Sequence, residues 1–217
     1  MLNLLKSTEF NKRIPKKKFY EQLEVTPEIK RIFVDQIKNI IWRNKIAAST
    51  VNIAAGHDVT EIEVIEVQLN QKELDTKALK LIDQGIPYHI VFVLHMENVI
   101  QIWTAYKQEK TPGAFKVDRY FHTDWMNEGE WALELNGLNL DQVYESIVRK
   151  IAGDELNTDP EETLQESVKK AKKINELEAK ITKLQTKMRK EKQFNKKVKI
   201  NDEIKGLKAE LSKIRNE

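Results

Sequence analysis

The sequence predicts an α/β (α+β) fold: a mixed β-sheet domain with flanking helices, followed by a C-terminal helical hairpin or coiled coil. Three observations carry this. Residues 61–69 and 90–94 form two-sided or unbroken apolar runs, as strands inside a covered sheet do. Segments near 26–44, 74–85 and 141–153 place apolar residues at helical spacing between recognisable caps. Beyond residue 160, two sets of apolar residues follow the 3-4 spacing of heptads. The expected division is a domain over 1–151, a linker over 152–160 and a tail over 161–217.

The elements follow in order. Lys12, Arg13, Lys16, Lys17 and Lys18 make a basic N-terminal arm, with Pro15 opposing a helix within it. Phe19 and Tyr20 just after the arm can pin it to a core. Thr26 is a plausible N-cap, Pro27 fits the first helical position, and Glu28 suits the positive end of the helix dipole. Ile29, Ile32, Phe33, Ile37, Ile40 and Ile41 extend the helical pattern to about Asn44.

Thr50 to Ala54 alternates like a strand, with 55–58 as a turn into the strand Glu61 to Leu69. Leu74, Ala78, Leu81 and Ile82 mark a helix closed by Gly85 and Pro87. Ile90 to Leu94 and Val99 to Tyr106 form a hairpin about Met96-Glu97-Asn98. A loop at Thr111-Pro112-Gly113 leads to a strand from Phe115 to Phe121. After an irregular stretch over 124–139, Asp141 is expected to cap a helix that Gly153 ends.

In the tail, Ile174, Leu177, Ile181, Leu184 and Met188 form one seam, and Ile200, Ile204, Leu207, Leu211 and Ile214 a second. The sets are out of phase, which a stutter or a turn near Lys192–Asn195 explains. The turn, giving an antiparallel hairpin, is the preferred reading. The seam then needs the other arm, a second copy or another protein to cover it.

Composition narrows the function classes. The chain of 217 residues has no cysteine, which excludes disulfides, cysteine nucleophiles and iron–sulfur clusters and fits a reducing cytoplasm. No run approaches the roughly 18 apolar residues of a membrane span, so no membrane partner is expected. Charge is asymmetric. Residues 160–217 hold 17 Lys and Arg against 10 Asp and Glu, while 1–159 hold 20 against 24. A basic tail is either a solvated face or a phosphate-seeking surface. The nucleic-acid candidates are the arm and Lys187, Arg189, Lys190, Lys192, Lys196 and Lys197.

Catalytic signals are sparse. There is no P-loop, no dinucleotide fingerprint and no nucleophile elbow. His57, His89, His95 and His122 have no metal-ligand spacing, and His122 with Asp124 is at most an acid–base pair. Trp42, Trp103, Trp125 and Trp131 are core candidates. The most chemical feature is Asp58 with Glu63 and Glu66-Val67-Gln68. Helix, hairpin, acidic strand, helix and strand is also the order that PD-(D/E)xK nucleases show, and the chain resembles them in this. The resemblance implies Mg²⁺ as cofactor and Glu66 and Gln68 as site residues, with Asp58 or Glu63. Geometry opposes it. Glu66 lies eight residues past Asp58, about 26 Å along an extended strand. Without it, no cofactor is expected.

The stretches EFNKRIPKKKFY (9–20), WRNKIAASTVNIAAG (42–56), EIEVIEVQLN (61–70), IDQGIPYHIVFVL (82–94) and EKQFNKKVKINDEIK (191–205) resemble domain-of-unknown-function family 4391. That resemblance implies a prokaryotic setting beside helicases and DNA methyltransferases in antiviral defence clusters. The function expected is therefore a non-enzymatic adaptor. Its domain docks a helicase-type or methyltransferase partner, and its tail clamps that partner or a second copy. The alternatives are a metal-dependent DNA nuclease and a nucleic-acid-binding module.

Overall fold

The computed structural model describes residues 2–23, 25–111, 114–156 and 162–216. It divides into two compact units, Met1–Gly153 and Asp154–Glu217. The expected loop at 112–113 and the last four residues of the expected linker, 157–160, lie outside the described residues.

The first unit is a seven-stranded mixed sheet. Its order is β1 (Glu9–Arg13), β2 (Ile37–Ala47), β3 (Glu61–Leu69), β4 (His89–Met96), β5 (Val99–Thr111) and β6 (Ala114–His122). The short β7 (Met126–Asn127) also pairs with β5. Only β3 and β4 run parallel. A parallel pair needs a crossover, and α3 (Thr76–Gly85) supplies it.

One face of the sheet carries Ile65, Val67, Ile90, Phe92 and Leu94. They pack with Phe19 of α1 (Lys16–Gln22), Ile32 and Phe33 of α2 (Pro27–Asp35), and Ala78, Leu79 and Ile82 of α3. The opposite face meets α4 (Leu140–Ala152). There the Tyr144 hydroxyl hydrogen-bonds Thr104 Oγ1 at 2.8 Å and donates to the Ala105 carbonyl at 2.7 Å.

Four local readings change. First, the helix begun by Thr26 ends at Asp35, and residues 37–47 form β2. Two β-bulges, at Ile37/Asn39 and Trp42/Asn44, break its alternation. The buried isoleucines at 37 and 40 are therefore three apart, a spacing that imitates a helix. β-Branched residues favour the strand once a neighbour is present.

Second, residues 50–53 form a turn and a bend and not a strand, and Ala54 makes an isolated bridge to Asn139. The Thr50 hydroxyl donates to the Lys45 carbonyl at 2.8 Å, and the Val51 N–H reaches the Ala47 carbonyl at 3.0 Å. Glu66 pairs with Ile41 of β2.

Third, the basic arm is structured. β1 pairs with β2, and α1 starts directly after Pro15, which the helix tolerates at its boundary. Fourth, Asn139 caps α4, accepting from the Gln142 N–H at 3.0 Å. Asp141 instead accepts from the backbone N–H groups of His57, Asp58 and Val59 at 2.7, 3.1 and 2.7 Å. A β-carbon on Gly56 would sit 2.1 Å from this carboxylate, so glycine is required there.

The second unit is a helical hairpin of α5 (Leu164–Lys190) and α6 (Phe194–Asn216). A capping box between Thr163 and Glu166 starts α5. The turn has neither Gly nor Pro. Glu191 closes it by accepting from the N–H groups of Lys192 and Gln193 at 2.8 and 2.9 Å. Ile181, Ile200 and Ile204 are buried between the arms, with Leu184, Met188, Leu207 and Leu211 packed against them. Leu177 is buried and Ile174 half-buried. Each arm thus covers the seam of the other.

Candidate functional site

Period-two alternation places Glu66 and Gln68 on the same face of β3. Parallel pairing sets Gln68 beside His95 of β4. On the other side, the bulge at Trp42/Asn44 leaves Arg43 of β2 as the extra residue, and its guanidinium reaches Glu66 on β3. Bulges of this kind re-aim a side chain.

The result is a closed polar centre. Glu66 is fully buried. Arg43 Nε donates to its Oε2 in a short ion pair. Gln68 Nε2 donates to Oε1 at 2.8 Å, and His95 Nδ1 lies 3.1 Å from the same oxygen. Further out, Asn39 donates to Gln68 Oε1 at 2.8 Å, and Arg43 also donates to Asn11 Oδ1 at 3.3 Å. His95 Nε2 faces Glu128 Oε2 at 3.7 Å. Burial opposes charge on Glu66. The hydrogen bonds from Arg43, Gln68 and His95 outweigh burial and hold its carboxyl below the usual range. A cleft of about 370 Å³ adjoins this centre, lined by Asn3, Glu9, Asn11, Arg43, Val64 and Glu128 among others.

The remaining nuclease candidates are elsewhere. Glu63 is three residues from Glu66 on the same strand, so it points to the opposite face. It is 1 % exposed, and burial followed by the neighbouring Glu61 pushes its carboxyl up to about 9. Two adjacent carboxylates there cannot both carry charge, so Glu63 keeps its proton while Glu61 pairs with Lys45 at 2.5 Å. Asp58 sits in the exposed loop held by Asp141, with His57 Nδ1 at 2.7 Å. The structure therefore brings Glu66 and Gln68 together and leaves Asp58 and Glu63 apart from them.

The donor set does not fit a divalent ion. Mg²⁺ takes hard oxygen ligands in a near-octahedral shell. The oxygens of Glu66 are engaged by Arg43, Gln68 and His95. Among the described residues, no group of three or more His, Asp and Glu side chains is placed to hold a metal ion.

A second buried ion pair lies between α3 and β5. Lys107 Nζ meets Asp83 Oδ1 at 2.8 Å and donates to the Tyr88 carbonyl at 2.7 Å, and the Tyr120 hydroxyl donates to Asp83 Oδ2 at 2.5 Å. His122 stacks on Trp103, with ring centroids 4.3 Å apart, and its Nδ1 lies near Gln101 and the Thr123 carbonyl.

The basic candidates fall into two kinds. In the arm, Lys16 donates to the carbonyls of Phe33 and Ile37, Lys17 pairs with Glu21 at 3.2 Å, and Lys12 lies 4.3 Å over the Phe10 ring. Arg13 and Lys18 are exposed. At the hairpin turn, Lys187, Arg189, Lys190, Lys192, Lys196, Lys197 and Lys199 are all exposed, and none has an ion-pair partner among the described residues.

Sequence reasoning reached Glu66 and Gln68 but missed Arg43, His95, Asn39 and Glu128. His95 was legible in principle, because a β3–β4 parallel register sets it beside Gln68. Arg43 was not, because nothing local marks the bulge.

Fold and site define a mixed α/β sheet protein with a closed polar centre on its third strand and a basic helical hairpin. Among the described residues no helix is long and apolar enough to cross a membrane. The chain belongs to the family named domain of unknown function DUF4391, whose model matches residues 2–211. No curated protein and no solved structure matches it.

Proposed function

We propose that this protein is a non-enzymatic adaptor: a cytoplasmic accessory subunit of a prokaryotic antiviral DNA-targeting complex, docked on a helicase-type or DNA methyltransferase partner. The observation that supports the non-catalytic part is the Arg43–Glu66 ion pair. It sets a fixed cation against the carboxylate that a nuclease of similar strand order would give to its metal. The setting and the partner class come from the family resemblance. The hairpin closes its own seam, so docking on it uses outer faces and not Leu177, Ile181, Ile200 or Ile204.

The test has two parts. The chain, alone and as purified from its native operon, is incubated with plasmid and linear DNA and Mg²⁺ or Mn²⁺. No cleavage is expected. Cleavage that Glu66→Ala abolishes would overturn the reading. In the same purification a helicase or methyltransferase is expected at a fixed stoichiometry, and a stable monomer that binds no protein encoded beside it refutes the adaptor role.

A second reading keeps the nuclease. Glu66 and Gln68 share a face beside the 370 Å³ cleft, and Arg43 is one third exposed, so its departure would free one Glu66 oxygen. Metal-dependent cleavage enhanced by Arg43→Ala is the outcome that distinguishes it.

A further inference from the structure

The tip of the hairpin concentrates positive charge: cations there far outnumber carboxylates. Away from the tip, several cations are paired: Lys173 with Glu210 at 3.0 Å, Arg215 with Glu178 at 2.5 Å, and Lys170 with Glu162 at 4.0 Å. Between 187 and 199 there are seven Lys and Arg side chains and one acidic residue. That residue, Glu191, is turned back onto the turn's own backbone.

Helix stability does not explain the whole cluster. Lys187, Arg189 and Lys190 suit the negative end of the α5 dipole. Lys196 and Lys197 lie in the first turn of α6, where the dipole disfavours cations, and Glu191, which attracts Lys187 and Lys196, is the one carboxylate against seven cations between 187 and 199. Phe194 stands among these cations with 77 % of its surface exposed, and Val198 is 42 % exposed.

An exposed aromatic ring inside a basic cluster with a single carboxylate matches one chemistry well. Cations follow a phosphate backbone, and the ring stacks on an unpaired base. A duplex offers no free base face to Phe194. A membrane surface suits the tip less, because an interfacial helix needs a free apolar face and the α6 seam is buried against α5. We infer that the hairpin tip is a sequence-independent contact for single-stranded DNA, with Phe194 as stacking platform and Lys190, Lys196 and Lys197 as phosphate contacts. The choice of DNA over RNA rests on the accessory-subunit reading; the choice of single strand rests on Phe194.

The test is fluorescence anisotropy of a labelled single-stranded oligo-dT with the full chain, without metal, between about 50 and 200 mM salt. Duplex DNA, oligo-U and anionic phosphatidylserine vesicles are the comparison probes. Binding to oligo-dT is expected to be tighter than to duplex or oligo-U. The Lys190→Ala/Lys196→Ala/Lys197→Ala variant is expected to bind more weakly and to lower the log–log salt slope by about two, the share of three single-strand phosphate contacts. Phe194→Ala is expected to weaken binding roughly five- to a hundredfold. All these side chains are exposed, and unchanged helicity by circular dichroism confirms an intact hairpin. Binding indifferent to both variants, preference for duplex or RNA, or vesicle binding without DNA binding each overturns the inference. This readout involves no cleavage and no partner, so its failure is separate from failure of the adaptor reading.

Discussion

The sheet unit and the hairpin tip handle charge in opposite ways. In the sheet, ionised side chains are buried and matched: Glu66 with Arg43, Asp83 with Lys107, Glu61 with Lys45. At the tip, seven cations crowd together in solvent around one carboxylate, with no close ion pair among the described residues. A buried charge is tolerated only when paired, so pairs inside the sheet dictate which strands lie together. An exposed cation needs no partner for folding, so an unmatched cluster remains available to an external anion. The comparison separates residues that hold the molecule together from residues that can recruit something to it.

The comparison breaks most readily at Asp83. Asp83→Ala leaves Lys107 buried without its counter-charge and the Tyr120 hydroxyl without its acceptor. A loss of about 3–5 kcal/mol is expected in denaturant unfolding. Joint replacement of Asp83 and Lys107 by Leu and Met should recover most of it. A small effect for the single variant would show that the pair is not structural. Arg43→Ala is next, at about 3 kcal/mol, because it strands a fully buried carboxylate while Arg43 itself is partly solvated.

Ile204→Ala opens the seam between the two arms. It should cost about 2–3 kcal/mol, toward the low end for a buried isoleucine because so narrow a core relaxes readily. Loss of helicity with the sheet unit intact is the expected signature, read by circular dichroism and hydrogen exchange.

pH sharpens the contrast further. Glu63 has its carboxyl raised from 4.5 to about 9, so the folded chain retains a proton that the unfolded chain has lost. Its contribution is full below pH 4.5 and declines as pH rises toward 9. Glu63→Gln should flatten that decline in thermal unfolding followed across pH 5 to 9. His89 behaves oppositely: burial, with the nearby Lys107, lowers it from 6.5 to about 3. The unfolded chain takes up that proton first, so stability falls as pH drops from 6.5 toward 3. His89→Phe should blunt this acid sensitivity.

The smallest effect belongs to the tip. Lys190→Ala, Lys196→Ala and Lys197→Ala should each leave stability within about 0.5 kcal/mol, because they break no pair. A larger loss would mean that the cluster is structural after all.

Local signals carried much of this fold. The covered strand at 61–69, helix α3 with its Gly85 end, the β4–β5 hairpin and the two seams of the tail were all legible, because each follows from periodicity and caps within a short window. The Glu66-Val67-Gln68 triplet was legible for the same reason, since alternation alone puts Glu66 and Gln68 on one face. What failed were segments where local and long-range preferences conflict. Residues 37–44 satisfy a helical pattern on paper, and only the pairing of β2 with β1 and β3 makes them a strand. Asp141 suits an N-cap locally, yet the three N–H groups of a loop more than 80 residues earlier in the chain claim it.

By itself, then, the amino-acid sequence determined the fold class, the helical hairpin, the face shared by Glu66 and Gln68, and the excess of positive charge toward the C-terminal end. Those properties depend on spacing and composition, which act over a few residues. Tertiary structure alone decided that Arg43 closes over Glu66, that Glu63 holds its proton, that Lys16 turns inward, and that the cations at the hairpin tip stay unpaired beside an exposed Phe194. The reason is physical. Ion pairing, desolvation and exposure depend on which distant groups meet, and a bulge or a turn can change that meeting without any mark in the local pattern.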